Sequence, residues 1–186
     1  MRHFLSKSFL YLMTSAFSGA LFGFLISLLV NLVMTWMTEF AKLTFLLIIV
    51  FLYLLKELGL INIPIPQHKW QIPTSWVNHS PLINMIIWGL ILGAGVLTYN
   101  FHISLFLPYV YVGLFLHPTN GIWIGLVYGV ARPLPSIVLA FIVYKTPEKK
   151  RPNVISQIWN KGKSFHFYHK ITLTIFFIFL ICVMFY

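Results

Sequence analysis

The sequence contains no aspartate and only three glutamates, Glu39, Glu57 and Glu148. General acid–base catalysis works through positioned proton donors and acceptors, and a chain this poor in carboxylates has few to offer. A single cysteine, Cys182, excludes both an intrachain disulfide and a C-x-x-C redox pair. No hydrolase triad, phosphate-cradling glycine loop or pair of carboxylates occurs, so the chain reads as a non-enzyme and implies no cofactor. Charge is scarce as well. Between Lys69 and Arg132 there is no Asp, Glu, Lys or Arg, and over the whole chain 9% of residues are charged, against about 25% in a soluble domain. So long an uncharged stretch cannot keep a protein surface wetted, whereas a bilayer is its natural solvent.

Hydrophobic residues make up 59% of the 186, and thirteen Lys and Arg give a net charge of +10. Nucleic-acid binding would place such charge on a polar, soluble frame. Here seven of the thirteen cations lie between Lys145 and Lys170, beside apolar runs. The partner they imply is a lipid bilayer with anionic headgroups, not nucleic acid. Lys149, Lys150 and Arg151 are the headgroup candidates. Val154, Ile155, Ile158 and Trp159 recur nearby at the spacing of a short interfacial helix.

These features predict an all-α fold, a polytopic transmembrane helical bundle forming one integral membrane domain over residues 1–186. Spans are expected at 15–37, 41–60, 81–117, 121–144 and 170–186, with a cytoplasmic interfacial segment at 145–169. The first reads as a retained signal anchor behind Arg2 and Lys7. A turn around Thr38–Phe40 joins it to the second, where Lys56 can snorkel to the interface. A proline-rich connection follows, with Trp70 and Trp76 at headgroup level.

The segment 81–117 is too long for one straight helix, which needs about 20 residues. Two short helices would make six spans; one discontinuous helix, broken at Thr98–His102, would make five. Five places eleven cations on one face and Lys42 alone on the other, so positive-inside bias favours five, with the N-terminus cytoplasmic and the C-terminus external, in a bacterial cytoplasmic membrane. A break at membrane depth must be buried in protein or line a wet cavity. Thr98, Asn100 and His102 supply polar groups for one.

Arg132 is the most informative residue, a cation halfway along the span 121–144, where it costs at least about 2.5–3.5 kcal/mol. Pro133 and Pro135 beside it predict a helix break, freeing the carbonyls of Gly129 and Ala131. Three partners fit Arg132: those carbonyls, an anionic ligand, or a second subunit. With Thr98, Asn100 and His102 it forms the expected polar centre. His102 and His117 are a thin basis for a metal site, because transition metals draw three or four N, S or O ligands. Three small-residue spacings, Gly19-x-x-x-Gly23, Gly89-x-x-x-Gly93 and Gly121-x-x-x-Gly125-x-x-x-Gly129, predict close internal helix packing, with a homo-oligomer as the alternative use.

Within 88–144, the run Trp88-Gly-Leu-Ile-Leu-Gly-Ala-Gly-Val-Leu-Thr-Tyr-Asn-Phe-His102, then Leu107-Pro108, Gly125-Leu-Val-Tyr-Gly129 and Arg132-Pro-Leu-Pro135, resembles the cytochrome c biogenesis thiol–disulfide membrane transporters of the CcdA/DsbD type. That resemblance implies a broken-helix scaffold. It departs where the family's redox cysteine would stand, around Thr98–Asn100, which argues against electron-transfer chemistry. The expected function is a small transport-type membrane protein or transporter subunit on a degenerate version of that scaffold. The alternative is a non-catalytic membrane subunit that anchors or stabilises a larger complex.

Overall fold

The computed structural model describes residues 2–62, 80–95, 106–147 and 163–185. Among these the only regular structure is helical, in seven helices: α1 (Arg2–Met34), α2 (Glu39–Glu57), α3 (Pro81–Ala94), α4 (Leu107–Phe115), α5 (Asn120–Ala131), α6 (Leu134–Lys145) and α7 (Lys163–Phe185). Two stretches, Phe4–Met34 and Asn120–Lys145, are long and apolar enough to cross a membrane. Pro81–Ala94 and Lys170–Cys182 are apolar but shorter. Glu39, Lys42, Lys56 and Glu57 interrupt the apolar character of α2 at both of its ends.

Several boundaries move from their expected places. α1 begins at Arg2 rather than Ser15, because no glycine or proline separates Arg2 and Lys7 from the apolar run. α7 begins at Lys163, inside the stretch expected to lie flat at the interface; no breaker follows Gly162, so the helix runs unbroken to Phe185. The expected interfacial helix around Val154–Trp159, and Lys149, Lys150 and Arg151, lie outside the described residues.

The chain divides into two compact units, Met1–Trp36 with Ile65–Ile137, and Met37–Pro64 with Val138–Tyr186. In the second, Thr38 caps α2 by accepting a hydrogen bond from the backbone N–H of Ala41, and Glu39 in the first turn pairs with Lys42 at 2.8 Å. α2 closes with a reciprocal C-terminal cap: Gly59 N–H donates to Lys56 O, and Leu60 N–H to Leu55 O, both near 3 Å. Leu46 and Val50 of α2 and Leu173 and Leu180 of α7 are buried, and Phe51 stacks on Phe177 at 5.6 Å. Lys56 does not reach outward as expected. Its ammonium is enclosed and meets no hydrogen-bond partner among the described residues.

Gly59 makes the cap possible because its φ of +78° lies in the left-handed region, with open space where a Cβ would stand. Gly59→Ala therefore isolates the conformational cost. It should destabilise the second unit by about 1 kcal/mol, read as a lower melting temperature of the purified chain in detergent, while Leu58→Ala, whose site has ordinary φ, changes it little.

The first unit is built on α1, whose two faces are the reverse of a soluble helix. Tyr11, Ser15, Gly19, Gly23 and Ser27 are buried, each four residues from the last. Leu5, Phe9, Met13, Phe17, Leu21, Leu25 and Leu29, at the same spacing, are exposed. A water-soluble protein does not expose an apolar stripe of that length while burying serine and glycine. Lipid removes the penalty on the outer face, and small inner residues let backbones approach.

α5 runs antiparallel along that inner face. Gly121 lies against Gly23 and Ser27, Gly125 against Gly19 and Ala20, and Gly129 against Ser15 and Ala16. α3 and α4 follow α1 in its own direction at successive levels. Gly89 meets Tyr11 and Thr14, and Gly93 meets Ser15; Tyr109 reaches Gly23, and Gly113 meets Ser27 and Val30. Side chains of α1 tie both helices by their backbones: Ser18 donates to Leu90 O (2.7 Å), Ser27 to Tyr109 O (3.3 Å) and Asn31 to Gly113 O (3.1 Å). From Tyr11 to Val30 α1 rises roughly 28 Å, close to the thickness of a bilayer core.

Candidate functional site

Two helix interruptions meet near the middle of α1. The first is the end of α3. Gly95, with φ +71°, stops the helix by donating its N–H to Leu92 O at 3.2 Å. A Cβ there would press on the Tyr128 ring and hydroxyl at 3.1 Å, so the position demands glycine both for conformation and for space. The second is the junction of α5 and α6. Arg132 still donates its N–H to Tyr128 O (3.0 Å), but Pro133 has none to give, and the next helical bond starts afresh from Ile137 to Pro133 O. Pro133 is fully buried. Pro135 falls in the first turn of α6, where a missing N–H costs nothing; of the two prolines expected to make the break, Pro133 alone makes it.

Arg132 joins the two. Its Nη1 donates to the Tyr128 hydroxyl one turn back and to Gly95 O at 3.5 Å, and the guanidinium carbon lies 5.5 Å from the centre of the Tyr128 ring. The side chain points back along α5, as long helical side chains do, so the charge sits deeper than its own Cα. It lies at the carboxyl ends of both α3 and α5, where the helix dipoles present partial negative charge. These contacts are neutral dipoles. Residues 1–36 and 65–137, the whole first unit, contain no Asp or Glu.

A second tyrosine backs the one that meets this charge. Tyr128 packs edge-on against Tyr109 of α4 at 6.4 Å. Tyr109 is 3% exposed and Tyr11 8%. One turn along the same face of α1, Ser15 is fully enclosed, and its hydroxyl meets no hydrogen-bond partner among the described residues.

Of the residues expected to form the polar centre, Arg132 is therefore placed where α3 ends and α5 gives way to α6. Thr98, Asn100 and His102 lie outside the described residues. His117 Nδ1 is hydrogen-bonded to Thr119 Oγ1 at 2.8 Å, which braces the turn into α5. Among the described residues no three of His, Cys, Asp and Glu gather as a metal site would need. Sequence reasoning missed Tyr11, Tyr109, Tyr128 and Gly95. A local signal existed only for Tyr128, four residues before Arg132 and so on the same helix face.

The chain matches no family model, no curated protein and no solved structure.

Proposed function

We propose that this chain is a small transport-type membrane protein, or the membrane subunit of a transporter, crossing the bilayer five times with its N-terminus cytoplasmic. The observation that carries the reading is Arg132 bridging two helix interruptions at mid-length of α1. Interrupted helices are costly in lipid and are tolerated where they serve a cavity or an ion, as in many transporters. The five-span count draws support from α3 and α4, which follow α1 in one direction at successive levels, as two halves of a single broken crossing would. The scaffold reading keeps the resemblance to thiol–disulfide transporters without their redox chemistry.

The test is solute efflux from proteoliposomes loaded with a mixture of small metabolites of both charges and none. Wild-type protein should deplete at least one component, and Arg132→Gln protein at equal density should retain it about a hundredfold better, the loss expected when a charge-assisted contact to solute goes. Identical retention by wild-type, variant and empty liposomes sinks the transport reading. A stoichiometric partner retained through purification in mild detergent would move the assignment to an anchoring subunit.

A further inference from the structure

The apolar stretch Asn120–Lys145 has two mechanically different halves. α5 is clamped: Gly121, Gly125 and Gly129 are buried and pressed against α1. α6 is not. None of its residues is buried, and Leu134, Val138 and Ile142, on successive turns, are exposed. Between the halves the helical ladder lapses. The last bond of α5 runs from Arg132 N–H to Tyr128 O, and the next runs from Ile137 N–H to Pro133 O. Pro133 and Pro135 have no N–H, so the helix sends no donor back to Gly129 O or Ala131 O. Pro133 itself is fully buried, which gives the joint one fixed end and one free end. The boundary between the two compact units falls one turn further on, between Ile137 and Val138.

From this geometry we infer that α6 is a gate, a half-span hinged at Pro133 whose swing admits solute to Arg132 from the cytoplasmic side. The inference rests on the transport reading and supplies its moving part. α5 cannot tilt without separating glycine backbones that touch α1, whereas α6 buries nothing that a bend would expose. The helical bonds that a swing would stretch are already missing, so bending at this point breaks none of them. Hinges of this kind concentrate motion in a few residues at the ends of elements. Lys145, in the last turn of α6, holds that end near the headgroups as it moves. A swing of about 20°, the size of an ordinary proline kink, carries the far end of α6 through about 6 Å.

Double electron–electron resonance on the purified full-length chain in nanodiscs, in a Cys182→Ser background, tests this without any solute. Nitroxides attached at Leu5→Cys and Ile142→Cys follow α6 against α1. Nitroxides at Phe9→Cys and Leu29→Cys, both exposed on α1, are the rigid reference. Distances for the first pair should spread over about 6 Å more than those for the reference. In Pro133→Ala/Pro135→Ala the spread should shrink to the reference width, because both N–H donors return. Pro135 is replaced as well because it would otherwise stand inside the healed helix. The same double variant should slow efflux about thirtyfold, the population shift that two restored hydrogen bonds give. A wild-type spread no wider than the reference overturns the inference, and that comparison stands even where the double variant fails to accumulate. An unchanged spread in the double variant overturns it too. A wide spread without efflux of any solute would keep the hinge and end the transport reading; efflux at the wild-type rate from a straightened double variant would do the reverse.

Discussion

Gly125→Val is expected to prevent the first unit from assembling, leaving membranes with little intact protein by immunoblot. A Cβ at Gly125 would meet Gly19 O and crowd the Ala20 Cα at 3.0 Å; one at Gly19 would meet Gly125 O and the Gly129 Cα at 3.0 Å. The approach is reciprocal and the obstacle on each side is backbone, not a side chain that can change rotamer. Overpacking that side chains can absorb costs about 1–3 kcal/mol. Here α1 and α5 must separate along their whole shared face, so the loss should be at least about 3 kcal/mol, the top of that range. The separation also breaks the contacts of Gly121 and Gly129, which sit on the same ridge. Leu21→Val is the control: Leu21 lies on the outward stripe, half exposed, and its substitution should leave protein levels unchanged. If Gly125→Val accumulates and melts like the parent chain, α1 and α5 are not held together by this contact.

The glycines show how much of the fold could be read from sequence. Their four-residue spacing in α1, α3 and α5 announces surfaces made for close packing. It does not say which surface meets which, because each spacing is compatible with every other. The pairing of α1 with α5, and of Gly89 and Gly93 with Tyr11–Ser15, is a property of the assembled unit alone. Helix boundaries are legible where a residue type forces them, as at Thr38 and Pro133, and were missed at Gly95, where the break was expected at Thr98–His102 instead. They differ from expectation at Arg2 and Lys163, where the helices begin ahead of the spans expected from 15 and from 170. A helix passes through such residues without cost, since lysine and arginine are good helix formers.

The site divides in the same way. Arg132 stands out in any reading because a cation in an apolar run is costly. Tyr11 and Tyr109 do not. They are 98 positions apart, and tyrosine within an apolar helix is unremarkable without knowledge of its level. That level comes from Gly23, whose missing Cβ leaves room for the Tyr109 ring, and from Gly89, which seats α3 against Tyr11. Small residues at one place thus determine where a hydroxyl arrives at another, and no local pattern records it.

Arg132→Leu is expected to make the chain easier to insert and harder to hold in shape. On insertion scales, replacing a central arginine by leucine favours a span by about 3–4 kcal/mol. The segment Asn120–Lys145, fused to a glycosylation reporter and inserted into microsomes, should therefore integrate more completely with leucine than with arginine. In the full chain the same change removes the donor that ties Gly95 O to α5 and leaves the carboxyl ends of α3 and α5 facing each other without a cation between them. Like ends of two helix dipoles repel, by an amount comparable to the about 0.3–1 kcal/mol that a cation gains at one of them. Together with the lost charge-assisted hydrogen bond, this should raise amide exchange at Leu92–Gly95 by at least about tenfold. Arg132→Lys separates charge from shape. It keeps the cation, so the dipole ends stay neutralised, but its ammonium lacks the planar fork that meets Tyr128 and Gly95 together. Exchange in that variant should fall between the other two. If leucine improves insertion and exchange at Gly95 does not change, the two interruptions are held by packing and Arg132 is retained for what it binds. If exchange rises with leucine and recovers with lysine, the charge itself closes the junction, and any anion entering the site competes with two helix ends for the same guanidinium.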